Sequence, residues 1–245
     1  LKMVNWRRDY LEAGTVTVMQ SYRRRRLADR VQGMREASTY FSQNPKLAFQ
    51  QKAVDEQVEL LNLQRDFENK YNEPSFIDTS VTDTIKKLVM LAGARQTDDD
   101  AVRPLLKYDR STRLALLSDA NKVGKTFKVP EKRFWHIKVK ALAKSQQWEE
   151  LKKFGGEKKS PIGYGPFAEA CIEQRIAPEI VAPYIERIPS TEERYGLFMK
   201  INLWAKAIEC AQKLKDRHRL LQVRALCKDP RFEKSVDQIL TSGGI

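Results

Sequence analysis

A chain of 245 residues with 41% hydrophobic and 31% charged side chains can build a core but keeps much surface, which suits stacked helices better than one rounded domain. Few segments are β-branched, no apolar run approaches the length of a membrane span, and the first residues lack the apolar core of a signal peptide, so all-β, membrane-spanning and signal-led classes are set aside. The formal net charge of +13 calls for an anionic counterpart: an acidic protein, an anionic membrane surface or nucleic acid.

The chain starts at Leu1 rather than Met, which reads as a piece of something longer. Residues 1–21 carry little pattern. Val16 and Val18 have strand propensity but no partner segment nearby, so helix or loop is expected there. Four arginines at 23–26 open a charged helix that continues through Leu27, Val31, Met34 and Phe41; they read as a solvated face rather than a contact with an acidic surface. Asn44-Pro45 is a cap followed by proline at the first helical position, and a long helix runs from there to about Tyr71. Its apolar face holds Leu47, Val54, Val58, Leu61 and Phe67, and residues 72–74 stop it. Ser80-Val-Thr-Asp83 resembles a capping box and leads into a helix over 85–91 that ends at Gly93. The acidic run Asp98 to Asp100 starts the next helix, with Pro104 in its early turns. A further helix covers 111–123, with Gly124 as its left-handed terminator.

The stretch 127–167 sets the pattern for the rest. Pro130 suits a first helical position and Glu131 the positive end of the helix dipole. Phe134, Ile137, Leu142 and the pair Ala141 and Ala143 mark an amphipathic helix ending near Ser145. A second helix, 148–154, follows at once and is expected to stop at Gly155 and Gly156, giving an antiparallel hairpin. Steps of 28 residues from Trp148 reach Ile176, Trp204 and Phe232. Six and five residues before each marker stand Leu142/Ala143, Ala170/Cys171, Phe198/Met199 and Leu226/Cys227. Four residues after the last three come Ile180, Ile208 and Val236, and one step back gives Ala120 with Leu114/Ala115 upstream. Such a period predicts an all-α fold, an α-solenoid of stacked antiparallel hairpins over 44–245, behind an N-terminal helical segment over 1–43 that could be partly flexible. Between hairpins, Gly163, Gly165, Pro161 and Pro166 build a rigid connector over 160–167.

Chemistry-bearing patterns are sparse. Cys171, Cys210 and Cys227 are odd in number and widely spaced, with apolar neighbours, and read as small buried hydrophobes in a reduced, intracellular protein. The two histidines, His136 and His218, lie far apart, and neither a catalytic motif nor a phosphate loop is present, so no enzyme activity, metal or cofactor is expected. Phe134-Trp135-His136 with Arg133 beside it is the most notable cluster. With Phe134 and Ile137 on the buried stripe, Trp135 or His136 is left partly outward. Aromatic plus Arg suits an interface hot spot; packing of Trp135 on the adjacent hairpin, with Arg133 paired to Glu131 or a neighbour, is the competing reading. Residue chemistry leaves both open.

The string Phe127-Lys-Val-Pro-Glu-Lys-Arg-Phe-Trp135, then Trp148-Glu-Glu-Leu-Lys-Lys-Phe154, then Lys159-Ser-Pro-Ile-Gly-Tyr164 with Pro166-Phe167, resembles the C-terminal region of the vacuolar protein sorting-associated protein 16 family. Upstream, Lys52-Ala-Val-Asp-Glu-Gln57 with Leu60, Leu61 and Gln64, and Ser80-Val-Thr-Asp-Thr-Ile85, fit the same family, so the likeness spans about residues 40–210. The resemblance implies a scaffold in the class C core of the HOPS and CORVET tethering complexes, peripheral on the cytoplasmic face of vacuole, lysosome and late endosome membranes. Its implied partners are the Sec/Munc-type (SM) protein, vacuolar protein sorting-associated protein 33, other class C tether subunits and, indirectly, SNAREs; nucleic acid is not expected. The implied partner surface falls on Ala53, Glu56, Gln57, Arg133 and Trp135. A basic solenoid that binds nucleic acid or an anionic membrane directly is the alternative.

Overall fold

The computed structural model describes residues 9–95 and 106–241, so the expected helix opening at Asp98 with Pro104 lies outside the described residues. Thirteen α-helices stand among the described residues, and the β pairing there is one isolated bridge between Arg95 and Leu106. The all-α expectation holds. The chain divides into two compact units after Thr84.

The first unit contains α1 (Tyr10–Arg23), α2 (Leu27–Ser42), a 3₁₀ turn (Pro45–Leu47), α3 (Ala48–Tyr71) and the start of α4 (Val81–Ala92). Asp9 caps α1 by accepting from the Glu12 N–H, and the Asn44 side chain accepts from the Lys46 N–H, as the Asn-Pro pair suggests. Ser80 opens α4, its hydroxyl accepting from the Asp83 N–H at 3.1 Å and donating to the Asp83 carboxylate at 2.6 Å. The arginine run does not open a helix. Arg23 ends α1 and Arg24, Arg25 and Arg26 form the turn to α2, where the Arg24 guanidinium donates to the Asp29 carbonyl at 2.8 Å.

A boundary at residue 43 would fall between α2 and α3, which instead share a core. Val31, Met34, Val58 and Leu61 form one cluster, and Ala37, Phe41 and Leu47 another, with Val54 packed against both. The loop after α3 is anchored by two α3 side chains. Glu68 Oε1 accepts from the Phe76 and Ile77 N–H groups, and the buried Gln64 amide donates to the Thr79 carbonyl at 2.7 Å and the Thr84 hydroxyl at 2.9 Å. Gln64→Ala takes the amide donor from the half-buried Thr79 carbonyl and from the Thr84 hydroxyl, which keeps its bond to the Thr79 hydroxyl, so a loss of about 1–3 kcal/mol is expected in denaturant unfolding. A change within error would show that water replaces the amide.

The second unit holds the rest of α4, then α5 (Arg110–Thr126), α6 (Glu131–Lys144), α7 (Trp148–Glu157), α8 (Gly165–Glu173), α9 (Pro178–Glu186), α10 (Thr191–Lys200), α11 (Trp204–Lys213), α12 (Arg217–Leu226) and α13 (Pro230–Thr241). From α6 onward most helices pack on the next in sequence, and α6 also packs on α8 and α11 on α13, which is solenoid stacking. Side-chain caps at Asp109, Ser190 and Asp216 start α5, α10 and α12.

Helix ends depart from the sequence reading. The left-handed positions are held by non-glycine residues: Lys128, Gln146, Asn202 and Lys215 all have positive φ. At Lys128 and Gln146 the following N–H groups reach back to the Gly124 and Leu142 carbonyls at 2.9 and 3.0 Å, the Schellman arrangement. Gly124 is therefore not the terminator. It lies buried inside α5, where an added Cβ would come within 2.7 Å of the Phe134 ring. Gly155 and Gly156 likewise do not end α7, which runs on to Glu157. Gly155 lets the Phe167 and Tyr184 rings approach, and its carbonyl accepts from Arg187 at 3.0 Å. In the connector, Gly163 has positive φ, but Gly165 already belongs to α8.

The 28-residue step is real only in part. Trp148 and Trp204 each begin a helix two residues after a left-handed residue, whereas Ile176 precedes α9 and Phe232 sits within α13. Leu142, Ala170, Phe198, Cys227, Ile208 and Val236 are buried, but Leu226, Ile180 and Leu114 are exposed, so the packing repeat is looser than the apolar repeat. Cys171, Cys210 and Cys227 are free and buried, with burial pushing the Cys171 thiol up to about 12.

Candidate partner-binding site

The expected partner residues fall in both units. On α3, Ala53, Glu56 and Gln57 lie within one turn or so of each other. Ala53 and Glu56 are exposed, Gln57 is half-buried, and Glu56 pairs with Lys52 at 3.8 Å. Gln57 edges a cavity of about 500 Å³ shared with Tyr22, Arg30 and Asp78. The structure adds Phe49, one turn before Ala53, with 79% of its surface exposed. Phe49, Ala53, Glu56 and Gln57 follow the i, i+4, i+7, i+8 spacing of one helix face. A phenylalanine in an amphipathic helix is easily taken for core. The available signal was angular: Phe49 stands about 140° around the helix from Val54, off the buried stripe.

On α6 it is His136 that faces outward and Trp135 that packs inward, as the competing reading had it, so Trp135 is corrected as a surface contact. Its side chain is 2% exposed, while Phe134 and Ile137 are half-buried and His136 is exposed. The indole lies 4.1 Å from the Phe154 ring centroid and 6.2 Å from that of Phe167, which stacks in turn on Tyr184 at 5.3 Å. These rings come from α6, α7, α8 and α9, so stacking of hairpins draws Trp135 inward. Pro130 is the cap residue itself, and α6 begins at Glu131.

Arg133 remains outward. It is exposed and makes no ion pair or hydrogen bond among the described residues. The expected local partner, Glu131, is bound instead to Lys158, which holds its carboxyl below the usual carboxylate value. A cation in the first turn of a helix gains nothing from the dipole, so fold stability does not account for this side chain.

One turn further, Lys138 is 8% exposed. Its ammonium donates to Asn121 Oδ1 at 3.3 Å and lies 4.2 Å from the Phe154 ring centroid, with no carboxylate within ion-pair reach among the described residues. Burial lowers its pKa, against the opposing pull of Glu157 and Glu150. No cluster of His, Cys, Asp and Glu that could hold a metal occurs among the described residues, and no described helix is long and apolar enough to cross a membrane.

The family described as "Vps16, C-terminal region" matches residues 5–103 and 99–241. A vacuolar protein sorting-associated protein 16 homolog of Dictyostelium discoideum is 32% identical over 188 residues, covering 77% of this chain and 20% of that protein. Protein VACUOLELESS1 of Arabidopsis thaliana is 31% identical over 193 residues, 79% of this chain and 20% of its own length. The Drosophila melanogaster homolog is 32% identical over 165 residues, 67% and 17% respectively. The chain thus spans about a fifth of the length of these relatives. Two family matches that together run from residue 5 to residue 241 settle its membership: the chain belongs to the family of the Vps16 C-terminal region.

Proposed function

We propose that this chain is a non-enzymatic scaffold segment of a HOPS- or CORVET-type class C tethering complex, where it recruits the SM protein, vacuolar protein sorting-associated protein 33, for SNARE-mediated fusion at vacuole, lysosome and endosome membranes. Membership of the Vps16 C-terminal-region family carries this reading. The geometry supports it through two exposed features that the fold does not use: the α3 face with Phe49 and Ala53, and Arg133 on α6, unpaired among the described residues. An exposed aromatic and a free arginine are residue types that dominate binding energy once desolvated.

The test titrates the chain with the purified SM protein, and in parallel with RNA and acidic liposomes, at low and physiological salt. Saturable binding to the SM protein that survives physiological salt is expected, while any RNA or liposome binding falls steeply. Salt-resistant binding to RNA or liposomes without SM-protein binding would favour the basic-solenoid alternative instead.

Ala53→Asp separates contact from fold. A carboxylate on this exposed helix position costs little in the free chain, but forced into a dry contact without a counter-charge it costs about 3 kcal/mol. The SM-protein affinity should fall by that amount with an unchanged melting temperature. Equal losses in both would place Ala53 in the fold rather than the interface.

A further inference from the structure

Lys138 closes the floor of a cavity of about 470 Å³ bounded by α5, α6 and α7. Its walls are aromatic, with Phe134, Trp135 and Phe154 lining the space. Lys125 and Lys128 stand at its rim, exposed and without an ion pair among the described residues. Lys158 also lines it, engaged by Glu131 and 5.6 Å from the Trp135 ring centroid.

A buried ammonium normally has a carboxylate partner, because desolvation without one is costly. Here three N–H donors find one amide oxygen and two ring faces, Phe154 at 4.2 Å and Phe134 at 6.0 Å. Only one of these partners is an oxygen, and the ammonium-bearing side chain lines a cavity that Lys125, Lys128 and Lys158 also line. We propose that this cavity receives a single acidic side chain, an aspartate or glutamate from the SM-protein partner, whose carboxylate is bound by Lys138 and whose methylene stem lies against the aromatic walls. The proposal rests on the reading above that α6 faces that partner.

The cavity's own charges favour a carboxylate over a phosphorylated lipid headgroup. Four lysines line it, but so do Glu131 and Glu157, which oppose a multiply charged phosphate more than a single carboxylate. Three aromatic walls also suit a hydrocarbon stem better than a hydrated sugar phosphate. Lys158 offers a second donor, and an incoming carboxylate would compete with Glu131 for it.

Lys138→Met is the decisive variant, since methionine keeps the unbranched volume and removes the buried charge. Thermal melting should hold or rise, because an unpaired buried ammonium is gone. Affinity for the SM protein should fall about ten- to hundredfold, the scale of a lost charge-assisted hydrogen bond. A residue serving only the fold cannot give that combination. The double variant Lys125→Glu and Lys128→Glu changes exposed positions alone and should weaken binding in the same direction, so it decides the matter if Lys138→Met does not fold.

Arg133→Glu is measured alongside. Binding lost in Arg133→Glu but retained in Lys138→Met overturns the carboxylate site and leaves the α6 interface standing. Binding retained in both overturns the two together. A further arm uses vesicles containing a phosphoinositide: if Lys138→Met loses vesicle binding while keeping the SM protein, the cavity is a lipid site and the proposal is wrong.

Discussion

Trp135→Ala is expected to lower unfolding free energy by about 3–5 kcal/mol, measured by urea denaturation with fluorescence and circular dichroism. The indole is 2% exposed and touches rings from two following helices, Phe154 on α7 and Phe167 on α8. Truncation removes the largest side chain in that stack and leaves a void between helices whose spacing is also set by Leu151, Phe167 and Tyr184. Collapse into the void is hindered, because the Lys138 ammonium already lies 4.2 Å from the Phe154 ring centroid and cannot be pushed deeper without further desolvation. Trp135→Phe, which keeps ring contact, should recover more than half of the loss. A loss under about 1 kcal/mol would mean the stack relaxes freely and the indole is not a packing centre. Partner affinity of the folded Trp135→Phe protein should fall little, since phenylalanine keeps an aromatic wall on the cavity that Trp135 shares with Phe134 and Phe154.

Arg133→Glu is expected to leave melting unchanged and to weaken SM-protein binding by about 2–5 kcal/mol, the range for a buried interfacial charge set against its like. The fold has no stake in the arginine. It is exposed, free of ion pairs among the described residues, and located where the helix dipole disfavours a cation and favours a glutamate. Whatever selects it therefore acts from outside the chain, and an acidic group on a partner is the simplest such agent. Arg133→Lys keeps the charge but loses the planar fork, and should give an intermediate loss if the contact is bidentate. Unchanged affinity in Arg133→Glu would remove Arg133 from the interface, and a collapsed melting curve would show a structural role that the exposed geometry does not suggest.

The contrast between these neighbouring residues shows where sequence reading stops. Helix content, and many helix starts, were legible because they depend on local chemistry: Asn44 before Pro45, Ser80 three residues before Asp83, and the apolar faces of α3 and α6 all act within one or two turns. Ala53, Glu56 and Arg133, named through the family resemblance, are exposed. The facing of α6 was not legible. Phe134, Trp135, Ile137, Val139 and Leu142 mark two overlapping stripes about 100° apart, and either could have been buried.

What the amino-acid sequence determined by itself is the all-α class, the solenoid's hairpin unit and membership of the family, since propensity, caps and motif spacing are properties of short segments. What only the tertiary structure decided is which stripe of α6 meets its neighbours. The rings of Phe154, Phe167 and Tyr184 arrive from three other helices and draw in Trp135 rather than Phe134. The same arrivals explain Gly155, and the Phe134 ring explains Gly124; a terminator reading misplaces both because glycine serves both a positive φ and a close approach. Those arrivals also bury Lys138, whose sequence neighbours suggest an ordinary solvated lysine. Burial is a sum over contacts distant in sequence, and no window along one helix contains it.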